Sequence, residues 1–297
     1  SKHMKTKLYR GYQPFLFLLP ALVFIAIFTY YPIGYSVYYS LHSQNLFSPQ
    51  PVFTGLSNYM MMMKDPIFWT VVWNNVIYGV FTIFPTMIMA LLLAILIDES
   101  KRFKAFFQLG LFYPLLIPMA AAAMIWVFML DANLGIINKA LRIFGLPEPG
   151  WLGSDKSSLW ALIIMAIWKN LGYYMLIFLA GLQSIPKYLY EAAEIEGAGW
   201  FRKHLTITIP LVSPSTIFVF IVSVIQSFKV FTQIHLMTKG GPGYSSNVLV
   251  YYIYENAFRY WDIGMASALT SVLIIFLLFL VVLIFGFFSR RVHYSLT

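Results

Sequence analysis

EAAEIEGAGWFRKHLTITIP, residues 191–210, sets three glutamates, an arginine, a lysine and a histidine between two long apolar runs. The 297-residue chain around it is 60% hydrophobic, 19% aromatic and 10% charged, whereas about a quarter of a soluble domain is charged. The composition is that of a membrane protein, and the polar island is a segment that the bilayer does not cover. The formal net charge is +9, but the basic residues stand at the ends of apolar runs rather than on one polar face, so no nucleic-acid partner is expected. The chain contains no cysteine, which excludes disulfides and thiolate chemistry.

A bilayer core takes about 20 apolar residues per helix, and six runs near 15–40, 70–97, 109–130, 158–182, 211–237 and 266–288 meet that length. Pro20, Pro32 and Pro85 fall inside the first two runs and are expected to kink rather than end them. The first run is too long for a cleaved leader and lacks a small-residue cleavage site, so it is expected to be retained. Ser1–His3, ahead of Met4, are set aside in the functional reading.

Lys2, Lys5, Lys7, Arg10, Lys101, Arg102, Lys104, Lys187, Arg202, Lys203, Arg290 and Arg291 fall on one side of the six runs. Lys64, Lys139, Arg142, Lys156, Lys239 and Arg259 fall on the other, and Lys169 and Lys229 lie within spans four and five. The positive-inside rule puts the first set in the cytoplasm, and with it both termini and the island. The expected layout is a cytoplasmic segment 1–14, a six-helix membrane domain 15–288 and a cytoplasmic tail 289–297. On the outer side, residues 41–69 carry Pro49, Pro51, Gly55 and an amphipathic stretch from Tyr59 to Lys64. Residues 131–157 begin with the capping types Asp131 and Asn133 and continue with helical spacing to Gly145. TKGGPGYSSN, 238–247, reads as a turn.

Within the island, Lys187–Glu196 has helix-forming composition, Pro186 suits its first turn, and Gly197 ends it. A second short helix from Trp200 to Leu205 completes an elbow lying along the membrane face. Ala192 and Ala193 permit close approach and Glu191 and Glu194 offer acceptors, so the elbow is a knob shaped for a groove on another protein. A solvated loop between spans is the competing reading.

Glu191-Ala192-Ala193, three residues, Gly197, nine residues, Ile207, one residue and Ile209-Pro210 resemble the EAA motif of ABC-importer permeases, with Ile209 where the pattern has Leu. Ser184-Ile185-Pro186, Leu189-Tyr190, Met237-Thr238, Gly240-Gly241-Pro242, Tyr252-Ile253-Tyr254 and Ala257-Phe258 extend the resemblance to MalF-like or UgpA-like permeases of carbohydrate uptake systems. The resemblance implies an all-α, six-helix type I importer permease in a prokaryotic cytoplasmic membrane. It implies a second homologous permease subunit, two cytoplasmic ATPase subunits that bind ATP and Mg, and an extracytoplasmic solute-binding protein. The loop at about 187–205 would be the coupling helix, with Glu191, Ala192, Ala193, Glu194, Glu196, Gly197 and Ala198 facing the ATPase.

A G-x-x-x-x-G-K-[ST] phosphate loop is absent, so no ATP site or other cofactor is expected in this chain. His3, His42, His204, His235 and His293 lack metal-ligand spacing, so neither a metal site nor enzymatic chemistry is expected. Carboxylates are missing from the spans, which removes the usual proton-relay groups.

Polar side chains in hydrocarbon mark a solute path or bind neighbouring helices. Span four offers Lys169, Asn170, Tyr173 and Tyr174; span five offers Ser223, Gln226, Ser227, Lys229, Thr232 and Gln233, with 223, 226, 227 and 230 on one face. By the resemblance, spans four and five line the substrate cavity, with Tyr173, Ser223, Gln226 and Ser227 in the corresponding region; as polar groups within the same spans, Lys169, Asn170 and Lys229 are expected on the path with them. Lys229, expected at mid-span, could attract an anionic solute, pair with the partner permease or bond a neutral sugar. The function implied is import of a sugar, oligosaccharide or glycerol-phosphate-type solute. The alternative is a self-sufficient secondary transporter or channel, disfavoured by the EAA spacing and the acid-free spans.

Overall fold

The computed structural model describes residues 13–45, 47–100 and 104–288. Residues 1–12 and 289–297, and with them most of the expected cytoplasmic end segments, lie outside the described residues, as do Lys101 and Arg102.

The elements, in order, are α1 Gln13–Ile25, α2 Tyr31–Ser40, β1 His42–Asn45, β2 Ser48–Phe53, α3 Ser57–Lys64, α4 Pro66–Glu99, α5 Lys104–Leu116, α6 Met119–Met129, α7 Ile136–Ile143, α8 Ser158–Gln183, α9 Lys187–Ile195, α10 Trp200–Lys203, α11 Ile209–Leu211, α12 Ser213–Phe228, α13 Thr232–Met237, α14 Leu249–Tyr254 and α15 Ile263–Phe288. Among the described residues the fold is all-α apart from one two-stranded hairpin. Among the described residues, four helices are long and apolar enough to cross a membrane, and up to six spans result if each of two bent pairs counts as one.

Contacts divide the chain into two units, one formed by the residues up to Lys64 with Asn256–Leu273, the other by Asp65–Glu255 with the residues from Ile274 onward. In the first, α1 passes through Pro20 and reaches α2 by a π-helical turn, Ala26–Tyr30, and Phe17, Phe24 and Phe28 are exposed, a surface suited to lipid. The antiparallel pair β1–β2, with His42 opposite Phe53, occupies part of the 41–69 segment, where the sequence reading named prolines, a glycine and an amphipathic stretch but no strand. It is held by Asn58, whose Nδ2 donates to the carbonyls of Ser40 (2.8 Å) and His42 (2.9 Å).

In the second unit, α4 runs unbroken through Pro85 and packs along α8, with α5 and α12 beside them. Ala90, Ala94 and Ile95 of α4 meet Met175, Phe178 and Leu179 of α8 in one buried cluster, and Trp126, Leu162, Met165 and Ile234 form a second. Small residues let helix backbones approach, the usual packing device in membranes. A Cβ on Gly172 would lie 2.0 Å from the Leu111 carbonyl oxygen of α5, and one on Gly181 would lie 2.3 Å from Ser215 Oγ.

Two spans depart from the expectation of continuous helices. The third is α5 and α6, bent by 98°. Pro118 stands at the break in an extended conformation, and a proline both lacks an N–H and keeps the residue before it out of the helical region. Span five begins with a 66° break between α11 and α12 and stops at Phe228, where Lys229 caps α12 (φ −97°, ψ 4°) and α13 starts anew at Thr232. Lys229 therefore terminates a helix instead of sitting in the middle of one. The helix α7 is capped by Gly135; Asp131 instead accepts the N–H groups of Leu134 (2.8 Å) and Asn133 (2.9 Å), which hold its carboxyl below the usual range.

Gly172 and Gly110 give a paired test. Alanine in a helix interior ordinarily gains about 0.5–1 kcal/mol over glycine, and Gly110 has nothing within 4 Å of the added Cβ. At Gly172 the obstruction is backbone, and overpacking costs typically about 1–3 kcal/mol. Gly172→Ala should lower the thermal unfolding midpoint of the detergent-solubilised protein, while Gly110→Ala should leave it unchanged or raise it; equal midpoints would contradict the close α5–α8 approach.

Candidate solute path and coupling elbow

A cavity of about 230 Å³ opens among α4, α8, α12 and the α12–α13 connection. Tyr78, Thr82 and Thr86 of α4, four residues apart and so on one face, line it together with Asn170 and Tyr174 of α8 and Ser223, Gln226, Ser227, Lys229, Thr232 and Gln233. Among the described residues no carboxylate lines it.

The hydroxyls are oriented by their own helices. Thr82 Oγ1 donates to the Tyr78 carbonyl (2.6 Å), Thr86 Oγ1 to that of Thr82 (2.5 Å), Ser223 Oγ to Val219 (2.5 Å) and Ser227 Oγ to Val224 (2.8 Å). Asn170 Nδ2 donates to the Ala166 carbonyl (2.9 Å). A hydroxyl that spends its proton on the preceding turn keeps its lone pairs, so this wall presents acceptors to whatever enters. Gln233 Nε2 donates to the Tyr78 hydroxyl (2.5 Å), fixing that ring. Lys229 is the one cation on the lining, and among the described residues no carboxylate lies within ion-pair distance of it.

Of the residues expected on a substrate path, Asn170, Ser223, Gln226, Ser227 and Lys229 line this cavity, and Lys169 and Tyr173 do not. Lys169, only 5% exposed, donates from Nζ to the carbonyls of Pro114 (2.6 Å), Leu115 (3.1 Å) and Ile117. It caps the open end of α5, where the break deprives these carbonyls of their i+4 helical donors; the Pro114 carbonyl also accepts the Ile117 N–H at 3.3 Å. Tyr173 packs against Tyr174 and the buried α4–α8 cluster. The α4 residues were missed by the sequence reading, although Tyr78, Thr82 and Thr86 recur at helical spacing within a span, the signal that found those of spans four and five. Asn74 and Asn75 of α4 brace the outer turn: Asn74 Nδ2 donates to the carbonyls of Tyr244 (2.7 Å) and Asn247 (3.0 Å), and Asn75 Oδ1 accepts the Leu249 N–H (3.1 Å).

The island folds as an elbow. The helix α9 ends where Gly197 adopts φ +74°, and the Ala198 N–H reaches the Ala193 carbonyl (2.9 Å) while that of Gly197 reaches Glu194 (3.0 Å). This is a Schellman closure, for which glycine carries no steric penalty. Its polar side chains turn outward: Glu191, Ala192, Glu194, Glu196 and Gly197 are exposed, and Ala193 and Ala198 are partly so. Lys203 Nζ bonds Glu194 Oε1 at 2.7 Å and holds that carboxyl below the usual range. A 200 Å³ crevice behind the elbow is lined by Ile95, Asp98, Glu99, Leu182, Tyr190, Glu194, Lys203 and His204. Among the described residues no group of three or more His, Asp or Glu could hold a metal ion.

Residues 87–294, which include the elbow and most of the cavity lining, match the family described as "Binding-protein-dependent transport system inner membrane component". The chain is 35% identical over 259 residues to the sulfoquinovosyl glycerol transport system permease protein SmoG of Agrobacterium fabrum, covering 87% of this chain and 84% of that one. It is 33% identical over 283 residues to the sn-glycerol-3-phosphate transport system permease protein UgpA of the same species, covering 95% and 96%. A bacterial ABC transporter involved in the import of the acidic polysaccharide alginate contains a chain of the same fold, with TM-score 0.81, 24% identity and coverage of 94% and 95%. The chain belongs to this family: it is a multi-pass inner-membrane permease subunit of a binding-protein-dependent ABC importer, a non-catalytic part of a multi-subunit complex.

Proposed function

We propose that this subunit forms half of the path for a polyhydroxylated solute of the sugar, oligosaccharide or glycerol-phosphate type. A second homologous permease would supply the other half, two cytoplasmic ATPases would drive it, and an extracytoplasmic binding protein would deliver the solute. The observation that carries the reading is the cavity: hydroxyl and amide groups gathered among apolar helices, free of carboxylate, with a single lysine on the wall. Acceptor-rich walls suit a solute rich in hydroxyl donors, and Lys229 suits an anionic group on it. The relatives SmoG and UgpA are named for sulfoquinovosyl glycerol and sn-glycerol-3-phosphate, both polyols that carry an anion, and we extend that class to this chain.

The elbow, in the same reading, is the coupling helix, with Glu191, Ala192, Ala193, Glu194, Glu196, Gly197 and Ala198 facing the ATPase. Its exposure and the rigid glycine closure support this. The distribution of Lys and Arg supports a cytoplasmic placement of the elbow and both termini.

Lys229→Met should raise the KM for a phosphate- or sulfonate-bearing polyol at least tenfold in the reconstituted complex and leave an uncharged sugar little affected. Gln226→Ala should weaken both. Unchanged uptake and unchanged solute-stimulated ATP hydrolysis in both variants would remove these residues from the path. For topology, cysteine introduced at Ser154 or Ser245 of this cysteine-free chain should react with an impermeant maleimide added to intact cells; reaction only after permeabilisation would reverse the orientation.

A further inference from the structure

We propose that Glu99 is a positioning residue for energy coupling, tying the elbow to the helix that lines the cavity. The proposal rests on the reading of the elbow as the ATPase contact.

Glu99 is the last residue of α4. Its carboxylate receives Trp200 Nε1 at 3.1 Å on Oε1 and 3.0 Å on Oε2, and His204 Nε2 at 3.0 Å on Oε1. A carboxylate only accepts, so Nε2 carries the ring proton. In the neutral ring Nδ1 then accepts from Thr208 Oγ1 at 2.8 Å, and Thr208 Oγ1 in turn accepts from the Tyr190 hydroxyl at 2.9 Å. Each donor finds an acceptor along a chain from Tyr190, adjacent to Glu191, to the end of α4. The indole and imidazole that grip Glu99 pack on each other at 4.4 Å between centroids.

The other charges in the crevice are already paired. Among the described residues, Lys104 bonds Asp98 at 3.1 Å and Lys203 bonds Glu194 at 2.7 Å, and the hydrogen bonds to Glu99 come from the elbow. From Glu99, α4 continues without interruption to Thr86, Thr82 and Tyr78 on the cavity wall, a reach of about 20 to 32 Å at about 1.5 Å per residue. A push on the elbow therefore has a rigid route to the cavity. The Glu99 side chain is 43% exposed, so water can take the place of its carboxylate, and its removal is expected to affect transmission rather than folding.

The test uses the full complex carrying Gln226→Cys in the cavity, with a hydrophilic maleimide as probe. Adding MgATP with vanadate should change the labelling rate in the parent complex. Glu99→Ala should keep both ATPases, the thermal midpoint and ATP hydrolysis, yet reduce that nucleotide-dependent change at least tenfold. Glu99→Gln, which keeps an acceptor for Trp200, should regain part of it. An undiminished change in Glu99→Ala overturns the proposal, and so does a loss accompanied by dissociated ATPases or a lowered midpoint, which would make Glu99 an assembly or folding residue. Glu191→Lys separates the premise: if it retains both the ATPases and the nucleotide-dependent change, the elbow reading fails whatever Glu99 does.

Discussion

Lys169 at the end of α5 expresses the constraint on which the rest of this structure depends: within a bilayer, a backbone that leaves the helix must find its hydrogen-bond partners inside the protein. The break at Pro118 frees carbonyls, and the ammonium of Lys169 takes three of them. The cost of burying a charge and the cost of opening a helix are met in one place. That closure holds α5 against α8, where Gly172 allows the backbones to touch, and α8 is the helix against which α4 packs. The broken span becomes part of a stable wall.

The same rule explains why the cavity is chemically quiet. Its hydroxyls return their protons to carbonyls one turn back, so they remain satisfied when nothing is bound and still offer lone pairs to a passing solute. A transport site benefits from such a lining, because groups satisfied in both states bind enough to recognise and little enough to release. Lys229, at the end of α12 and facing this wall, is the exception in charge.

The scaffold was largely legible in the sequence, since the length of an apolar run decides whether it can span and the glycine and proline spacing of the island fixed its elbow. Breaks inside spans three and five were not, because proline kinks a membrane helix or ends it according to what neighbours can repair, and at Pro118 the repair comes from Lys169, more than 50 residues away. Lys169 itself was misplaced for the same reason: a lysine in a span looks the same in sequence whether it meets a solute or a carbonyl. The β1–β2 hairpin was hidden by its prolines. The candidate site was half visible, with polar residues of α8 and α12 standing out, while Tyr78, Thr82 and Thr86 passed unremarked and Glu99, at a helix end, carried no signal in its sequence neighbourhood.

The account stands on the claim that the α4–α8–α12 cavity is a water-filled path rather than interhelix glue. In a chain with no cysteine, Asn170→Cys and Thr232→Cys on the cavity wall can be compared with Phe279→Cys on the exposed face of α15, in the assembled complex, by their rates of reaction with a hydrophilic maleimide. The account predicts that both cavity positions react at least tenfold faster than Phe279→Cys. Rates equal to that of Phe279→Cys would contradict it.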